Sequence, residues 1–230
     1  MLPYSLVALT DCLPGIHVPT EPFDPNGEWD LRYAMWNPSR GKSFKSEPSG
    51  SLRIRRRLTP DGHIRLQVTQ VIKMQTTNGS GITKAGVTCK ADDLATPIRW
   101  KVDSEILDLK GKQVPLTAVS ISGEEDAKTS RKLTSNWSLF DAVQRLPFDS
   151  RELRFDMLEE MELLRPDQIL WPGETAEVKI GGRKIRLYSF EHIGRGILPF
   201  TYWLNDNHRL IIAVGGRRAF LLDSKAGGVK

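Results

Sequence analysis

The chain has little of what most identifiable function classes require. Its two cysteines, Cys12 and Cys89, are too few for a disulfide framework or a cysteine-ligated metal cluster. Two readings stay open for them: one bridge tying the N-terminal segment down in an oxidising compartment, or two unlinked thiols. The four histidines, His17, His63, His192 and His208, stand in no His-x-x-x-His pattern, so metal binding has no motif behind it. No Gly-x-Ser-x-Gly elbow for a nucleophile occurs. Gly181-Gly182 and Gly194-x-Gly196 lack the following helix and lysine that a phosphate loop needs. No cofactor is expected, and the reading leans away from an enzyme.

Long apolar runs are missing too. No stretch reaches the roughly 18 apolar residues of a membrane span. Met1 to Cys12 has no basic start, and its apolar run is short and broken, unlike a secretory signal. Asp11 precedes Cys12, where a lipid-attachment site wants a small residue. Charge of one sign is scarce: 33 Lys and Arg against 28 Asp and Glu leave a formal +5, with a pI near 9.2. That excess suits a solvated surface and favours anionic partners only mildly. Aromatics make up 8%, and there is no internal repeat.

What is present is strand. From Glu177 to Leu222 the chain alternates strand-length apolar runs with turn residues: Gly181-Gly182, Gly194 to Gly196, Asn205 to Asn207 and Gly215-Gly216. Runs punctuated this way predict an antiparallel meander. Upstream, Glu28 to Trp36 places Trp29, Leu31, Tyr33 and Met35 on one face. Leu52 to Leu58 and His63 to Met74 flank Pro60-Asp61-Gly62, a hairpin signature. Leu52, Ile54 and Leu58 are expected to point one way and Arg53, Arg55 and Arg57 the other. Ile82 to Lys90 and Ile98 to Asp103 read as further strands. Val114 to Ser120, interrupted by Pro115, reads as an edge strand, followed by an acidic turn at Gly123 to Asp126.

One segment has helical period. Trp137, Phe140, Val143 and Leu146 recur every three residues, Ser135 or Asn136 can cap the start, and Pro147 ends it. Leu153 to Leu164 fits helix or strand, with a short strand passing into a turn preferred. Arg165-Pro166 is expected to close it, with a tight corner at Ile169 to Gly173. Residues 1–26 read as an extended arm laid over the surface, 27–223 as one β domain and 224–230 as a tail. Asn37 to Gly50 reads as a mobile loop. The fold expected is mainly β: a single curved antiparallel sheet, half-barrel or open barrel, with one short helix on its concave face.

Three functional readings follow. A curved sheet closing on an amphipathic helix leaves an apolar cleft, which can hold a small apolar molecule or lipid. Trp137, Phe140, Trp100, Tyr33 and Trp203 are the candidate ligand contacts, in a binding or structural module without catalysis. The alternative is a hydrolase-like enzyme using His192, which requires that residue buried in a cleft within reach of a carboxylate. The third is a polyanion site at Arg53, Arg55 and Arg57, whose side chains repeat about every 7 Å along one strand face. No nucleic-acid motif accompanies that row.

The ending Gly196-Ile-Leu-Pro-Phe-Thr-Tyr-Trp-Leu-Asn-Asp-Asn-His-Arg-Leu210, with the helix at Trp137 to Leu146, resembles uncharacterised bacterial cell-envelope antiparallel β proteins. More distantly, the pattern is similar to half-barrels of the lipoprotein-localisation-factor type, in which a curved sheet embraces a helix. The resemblance implies an extracytoplasmic setting, periplasmic or secreted, and it carries no functional residue across.

Overall fold

In the computed structural model of the chain, residues 3–7, 9, 13, 16, 18–37, 48–74, 79–108, 110–115, 117–124, 132–216 and 218–223 are described. The expected loop through 38–47, Cys12, His17, Asn78, Leu116, the acidic positions 125–126 and the 224–230 tail lie outside them. A helical turn, α1 (Tyr4–Val7), comes first. The strands β1 (Trp29–Trp36), β2 (Gly50–Leu58), β3 (Ile64–Lys73), β4 (Ser80–Cys89), β5 (Pro97–Leu107), β6 (Val119–Glu124) and β7 (Leu133–Ser135) lead to the helix α2 (Ser138–Arg145). After it run β8 (Leu153–Glu159), β9 (Leu163–Ile180), β10 (Arg183–Gly194), β11 (Phe200–Leu204), β12 (Leu210–Gly215) and β13 (Ala219–Leu222).

All thirteen strands join one sheet, in the order β6-β5-β4-β3-β2-β1-β13-β12-β11-β10-β9-β8-β7. Two meanders therefore run outward in opposite directions from a seam where the first strand pairs with the last, Tyr33 opposite Leu222. The sheet does not close by strand pairing. It curls until β7 reaches the loop after β4, where Thr134 Oγ1 donates to the Leu94 carbonyl at 2.6 Å. Every pairing is antiparallel except β7 with β8, because α2 lies between those two and returns the chain to the same end. The architecture is the mainly β, open, curved sheet that the alternation predicts.

Local chemistry explains most boundaries. Gly62, at φ +80°, turns the β2–β3 hairpin, and Leu58 faces Ile64 across it. The first helical N–H, that of Ser138, donates to Ser135 Oγ at 3.0 Å, and Pro147 cannot extend the helix. The helix lies inside the curl. Not only Leu139, Phe140, Ala142 and Val143 but also Ser138, Asp141 and Gln144 are buried. Gln144 Oε1 accepts from the Leu210 backbone N–H at 3.0 Å, and its Nε2 donates to the Phe140 carbonyl.

Several expectations are corrected. No corner forms at Ile169 to Gly173. Instead β9 runs 18 residues through both Pro166 and Pro172. Its register with β10 shifts between Tyr188 and Phe190, opposite Pro172 to Thr175, and such a bulge tolerates a residue that cannot donate to the ladder. The edge strand is Val119–Glu124, later than Val114 to Ser120. Gly123 belongs to that strand, paired with Trp100, and a Cβ there would stand 2.3 Å from the Trp100 ring. Leu58 is exposed, while Arg56, between Ile54 and Leu58 on the inward face, is 2% exposed.

The N-terminal segment is not simply extended over the surface. Strands β11, β12 and β13 are apolar on both faces and almost wholly buried, so one face needs cover from outside the curl. Leu6, Leu9, Leu13, Ile16 and Val18, all buried, belong to the segment that supplies it. Trp203 Nε1 donates to Ser5 Oγ at 3.2 Å, and Arg183 and Arg209 donate to carbonyls of Val18, Pro19 and Glu21. Among the described residues no helix is long and apolar enough to cross a membrane.

Candidate functional site

A cleft of about 430 Å³ opens between α2 and the inner face of the sheet. Trp137 and Phe140 form the helix side. Leu52, Tyr202 and Phe220 come from the sheet, with Phe200 at one side. These walls are held by ring packing: Phe140 meets Tyr33, Phe220 and Tyr202 edge to face at centroid distances of 5.3, 5.4 and 6.0 Å, the geometry aromatic quadrupoles favour. The mouth is made by Gly196, Ile197 and Leu198 after β10 and by Gly215, Gly216 and Arg218 around the β12–β13 turn. Gly215 is required there, since a Cβ would stand 2.4 Å from the Phe200 ring.

Several polar groups around the cleft are paired with one another. Glu159 is bound by Arg165 at 2.8 Å and Glu160 by Arg218 at 3.1 Å. Asn136 Oδ1 accepts from the Glu160 backbone N–H at 2.8 Å. His192, 2% exposed, has its Nε2 3.1 Å from Gln168 Oε1. The Gln168 amide nitrogen already donates to the carbonyls of Pro166 and Arg195. Its oxygen must therefore accept, which makes His192 the Nε2–H tautomer. Burial pushes the His192 pKa down to about 4, so the ring is uncharged near neutrality.

The sequence-predicted contacts separate. Trp137 and Phe140 line the cleft. Tyr33 stands behind Phe140, its hydroxyl 3.4 Å from the Leu210 carbonyl. Trp203 points to the other face of β11, under the N-terminal segment. Trp100 lies far along the sheet, over Gly123. The cleft's own Tyr202, Phe200 and Phe220 are not among the sequence-predicted contacts. Tyr202 and Trp203 are neighbours on a strand buried on both faces, and period alone cannot say which one faces the helix. For the hydrolase reading, His192 is indeed buried beside a cleft, but its partner is the Gln168 amide and not a carboxylate. A general base for neutral pH also needs a higher pKa than burial leaves it.

The arginine row divides as well. Arg53 and Arg55 share the Asp30 carboxylate at 2.7 and 2.8 Å. Both line a second, broader hollow of about 910 Å³ on the outer face of β2 to β6, together with Arg65, Lys84, Arg99 and Lys101. Arg57 is outside that hollow, 3.5 Å from Glu28. Among the described residues no group of three or more His, Cys, Asp or Glu side chains is placed to hold a metal ion.

No protein-family model matches the chain, and no curated protein matches its sequence. Among solved structures, the chain is similar to a β-barrel-like protein of a domain of unknown function, DUF1849, from Brucella abortus. The TM-score is 0.50 at 8% identity, covering 86% of this chain and 96% of that one. A match to MucB in complex with MucA(peri), at 9% identity, covers 87% of this chain and 91% of that one with a TM-score of 0.16, too low to carry an argument. At these identities the likeness is one of fold: this chain shares a β-barrel-like architecture with a protein whose domain has no assigned function.

Proposed function

We propose that this protein is a binding module that holds a small apolar molecule in the cleft between α2 and the sheet. The observation that carries the reading is the cleft itself, a 430 Å³ space walled by Trp137, Phe140, Phe200, Tyr202 and Phe220. Ligand sites of this kind are concave, mostly apolar and roughly 300–1,000 Å³ in volume. The envelope setting implied by the sequence resemblance belongs to the proposal, and fractionation of the source cells tests it. Native mass spectrometry of the chain purified from its own host tests the ligand. A bound species of a few hundred daltons is expected, absent from an Ile197→Trp variant that fills the mouth. If wild type carries no such species and takes up no apolar fluorophore saturably, the reading fails.

A second reading has its own observation. Six cationic side chains line the outer hollow with two carboxylates, Asp103 and Glu124, and Asp30 bridges two of the six, a surplus of three where the whole chain has a surplus of five. Such a surface attracts a polyanion. Salt-sensitive retention on heparin is expected to fall in Arg65→Gln/Lys84→Gln and to be unchanged in Arg57→Gln. Equal loss per charge removed in the two variants would mean net charge, not this hollow, sets retention.

A further inference from the structure

We infer that the outer hollow of β2 to β6 holds a compact group bearing several phosphates, seated on the bare backbone of Gly86. The inference rests on the polyanion reading above and adds the shape of the anion and the point at which it sits.

Gly86 lies inside β4 between the buried Ala85 and Val87, so the side chain it lacks is missing from the outer face. The usual reasons for a strand glycine do not apply to it. Its φ is not positive. The ladder is regular through it, with Gln67 opposite on β3 and Lys101 opposite on β5, so there is no bulge. A Cβ built there would meet nothing within 4 Å, so no neighbour packs into the gap. A glycine inside a strand weakens it. Here it leaves a floor in the hollow, where a ligand can reach the sheet with no side chain in the way.

The cations surround that floor and do not follow a line. Lys101 stands beside Gly86, Lys84 is two residues along the same strand, and Arg65 and Arg99 lie diagonally on the two adjacent strands. Arg53 and Arg55 come from the next strand out. Strand geometry puts all of them within about 12 Å of Gly86. An extended polymer strings its charges along one direction and meets only some of these cations at once, whereas a cluster of phosphates meets the whole ring. Asp103 is 3.1 Å from Lys101 and Glu124 is 3.5 Å from Arg99. Both pairs are exposed, and such pairs are weak. A phosphate can take over their cations with charge-assisted hydrogen bonds.

The test is titration calorimetry of the full chain with tripolyphosphate and orthophosphate at fixed ionic strength, with heparin retention as the reference for a linear polyanion. Wild type is expected to bind tripolyphosphate at least about tenfold more tightly than orthophosphate. Gly86→Val keeps every charge and puts a residue that suits a strand on the floor. Its Tm should not fall and its heparin retention should hold. Its tripolyphosphate affinity should drop about tenfold, the size of one lost charge-assisted hydrogen bond. Lys101→Gln should weaken tripolyphosphate as well, and Arg57→Gln, outside the hollow, should not. Cosedimentation with phosphatidylcholine vesicles carrying phosphatidylinositol bisphosphate separates the sources. Binding to them assigns a lipid headgroup, and tripolyphosphate binding without it assigns a free molecule. The inference is overturned, while the polyanion reading stands, if wild type is retained on heparin but does not bind tripolyphosphate. It is equally overturned if Gly86→Val binds tripolyphosphate as wild type does, or loses heparin retention to the same degree. If wild type binds neither, the polyanion reading fails first.

Discussion

Replacing Arg56 by Met removes a buried cation that ties the inner helix to the first meander. Arg56 Nε donates to Asp141 Oδ1 at 2.6 Å, and its Nη1 donates to the carbonyls of Asn26 and Gly27. Asp141, fully buried, also accepts from Arg145 at 2.8 Å, whose Nη2 donates to the Asp92 carbonyl. One carboxylate thus joins β2, α2 and the β4–β5 loop. Burial raises the Asp141 pKa above the usual carboxylate value, against the pull of Arg145 and Arg56. Breaking a buried ion pair costs about 3–5 kcal/mol, because the remaining charge is stranded. Asp141 would keep Arg145, so the lower figure, about 3 kcal/mol, is expected here. In a chain of this length that lowers Tm by roughly 6–12 °C.

The pH dependence gives the sharper check. With Arg56 gone, the folded chain holds a proton on Asp141 at pH values where the unfolded chain, with a pKa near ~3.9, has released it. Stability then falls as pH rises from about 4, and the deficit against wild type should shrink between pH 7.5 and pH 5. Adding Asp141→Asn to Arg56→Met should recover part of the loss, since the stranded carboxylate is gone while Arg145, whose side chain is 9% exposed, keeps the Asp92 carbonyl and an amide oxygen as acceptors. Urea unfolding followed by tryptophan fluorescence measures wild type, the two single variants and the double variant. A deficit under about 1 kcal/mol, independent of pH, would refute the account, as would two substitutions whose costs simply add.

Two other outcomes follow from buried groups. His192, at about 4 when folded against ~6.5 unfolded, takes up its proton first in the unfolded chain as pH falls. Wild type should therefore lose up to about 3 kcal/mol between pH 6.5 and 4. His208, also shifted down by burial, titrates in the same direction, so His192 is isolated as the difference between wild type and His192→Gln. Equal slopes in the two chains would show that His192 is not buried neutral. Cys89 is a buried free thiol, 3.6 Å from Ser138 Oγ, and burial pushes its pKa up to about 12. In a Cys12→Ser background it should react with a thiol reagent only as fast as the chain opens, and rapid labelling in native buffer would contradict this.

How much of this was legible depends on whether period or partnership decides a residue's place. Leu52 and Ile54 alternate with Arg53 and Arg55, and the faces follow from period two. Arg56 obeys the same rule, falling on the inward face, but the sequence invites grouping it with its arginine neighbours. Its partner, Asp141, lies 85 positions away on a helix, and nothing periodic announces such a pair. The proline-bearing β9 is hidden for a related reason: Pro166 and Pro172 signal breaks, and only bulges in β9 itself, against β8 at the first and β10 at the second, make them tolerable. In β11 to β13 the fault lay in the pattern itself. Uniformly apolar strands reveal that both faces are covered, but not which cover lies on which face, so period alone does not separate Trp203 from Tyr202, which faces the cleft.

The same partnership explains why a cleft survives in an otherwise packed interior. A helix of eight residues is about 12 Å long, too short to fill the space within a thirteen-stranded curl. Apolar contacts are non-directional. A helix held by them alone would gain from sliding along the sheet until its side chains closed the void beside Trp137, since interiors tend toward crystal-like density. What opposes the slide is directional: Arg56 and Arg145 on Asp141, the Leu210 N–H on Gln144, and Ser135 on the first turn. Each is lost if the helix shifts by one residue. Their burial is costly in itself, and a well-packed apolar core would be expected to do without it. These directional bonds fix the short helix at the position where Trp137 and Phe140 stand at one wall of the cleft and do not close it.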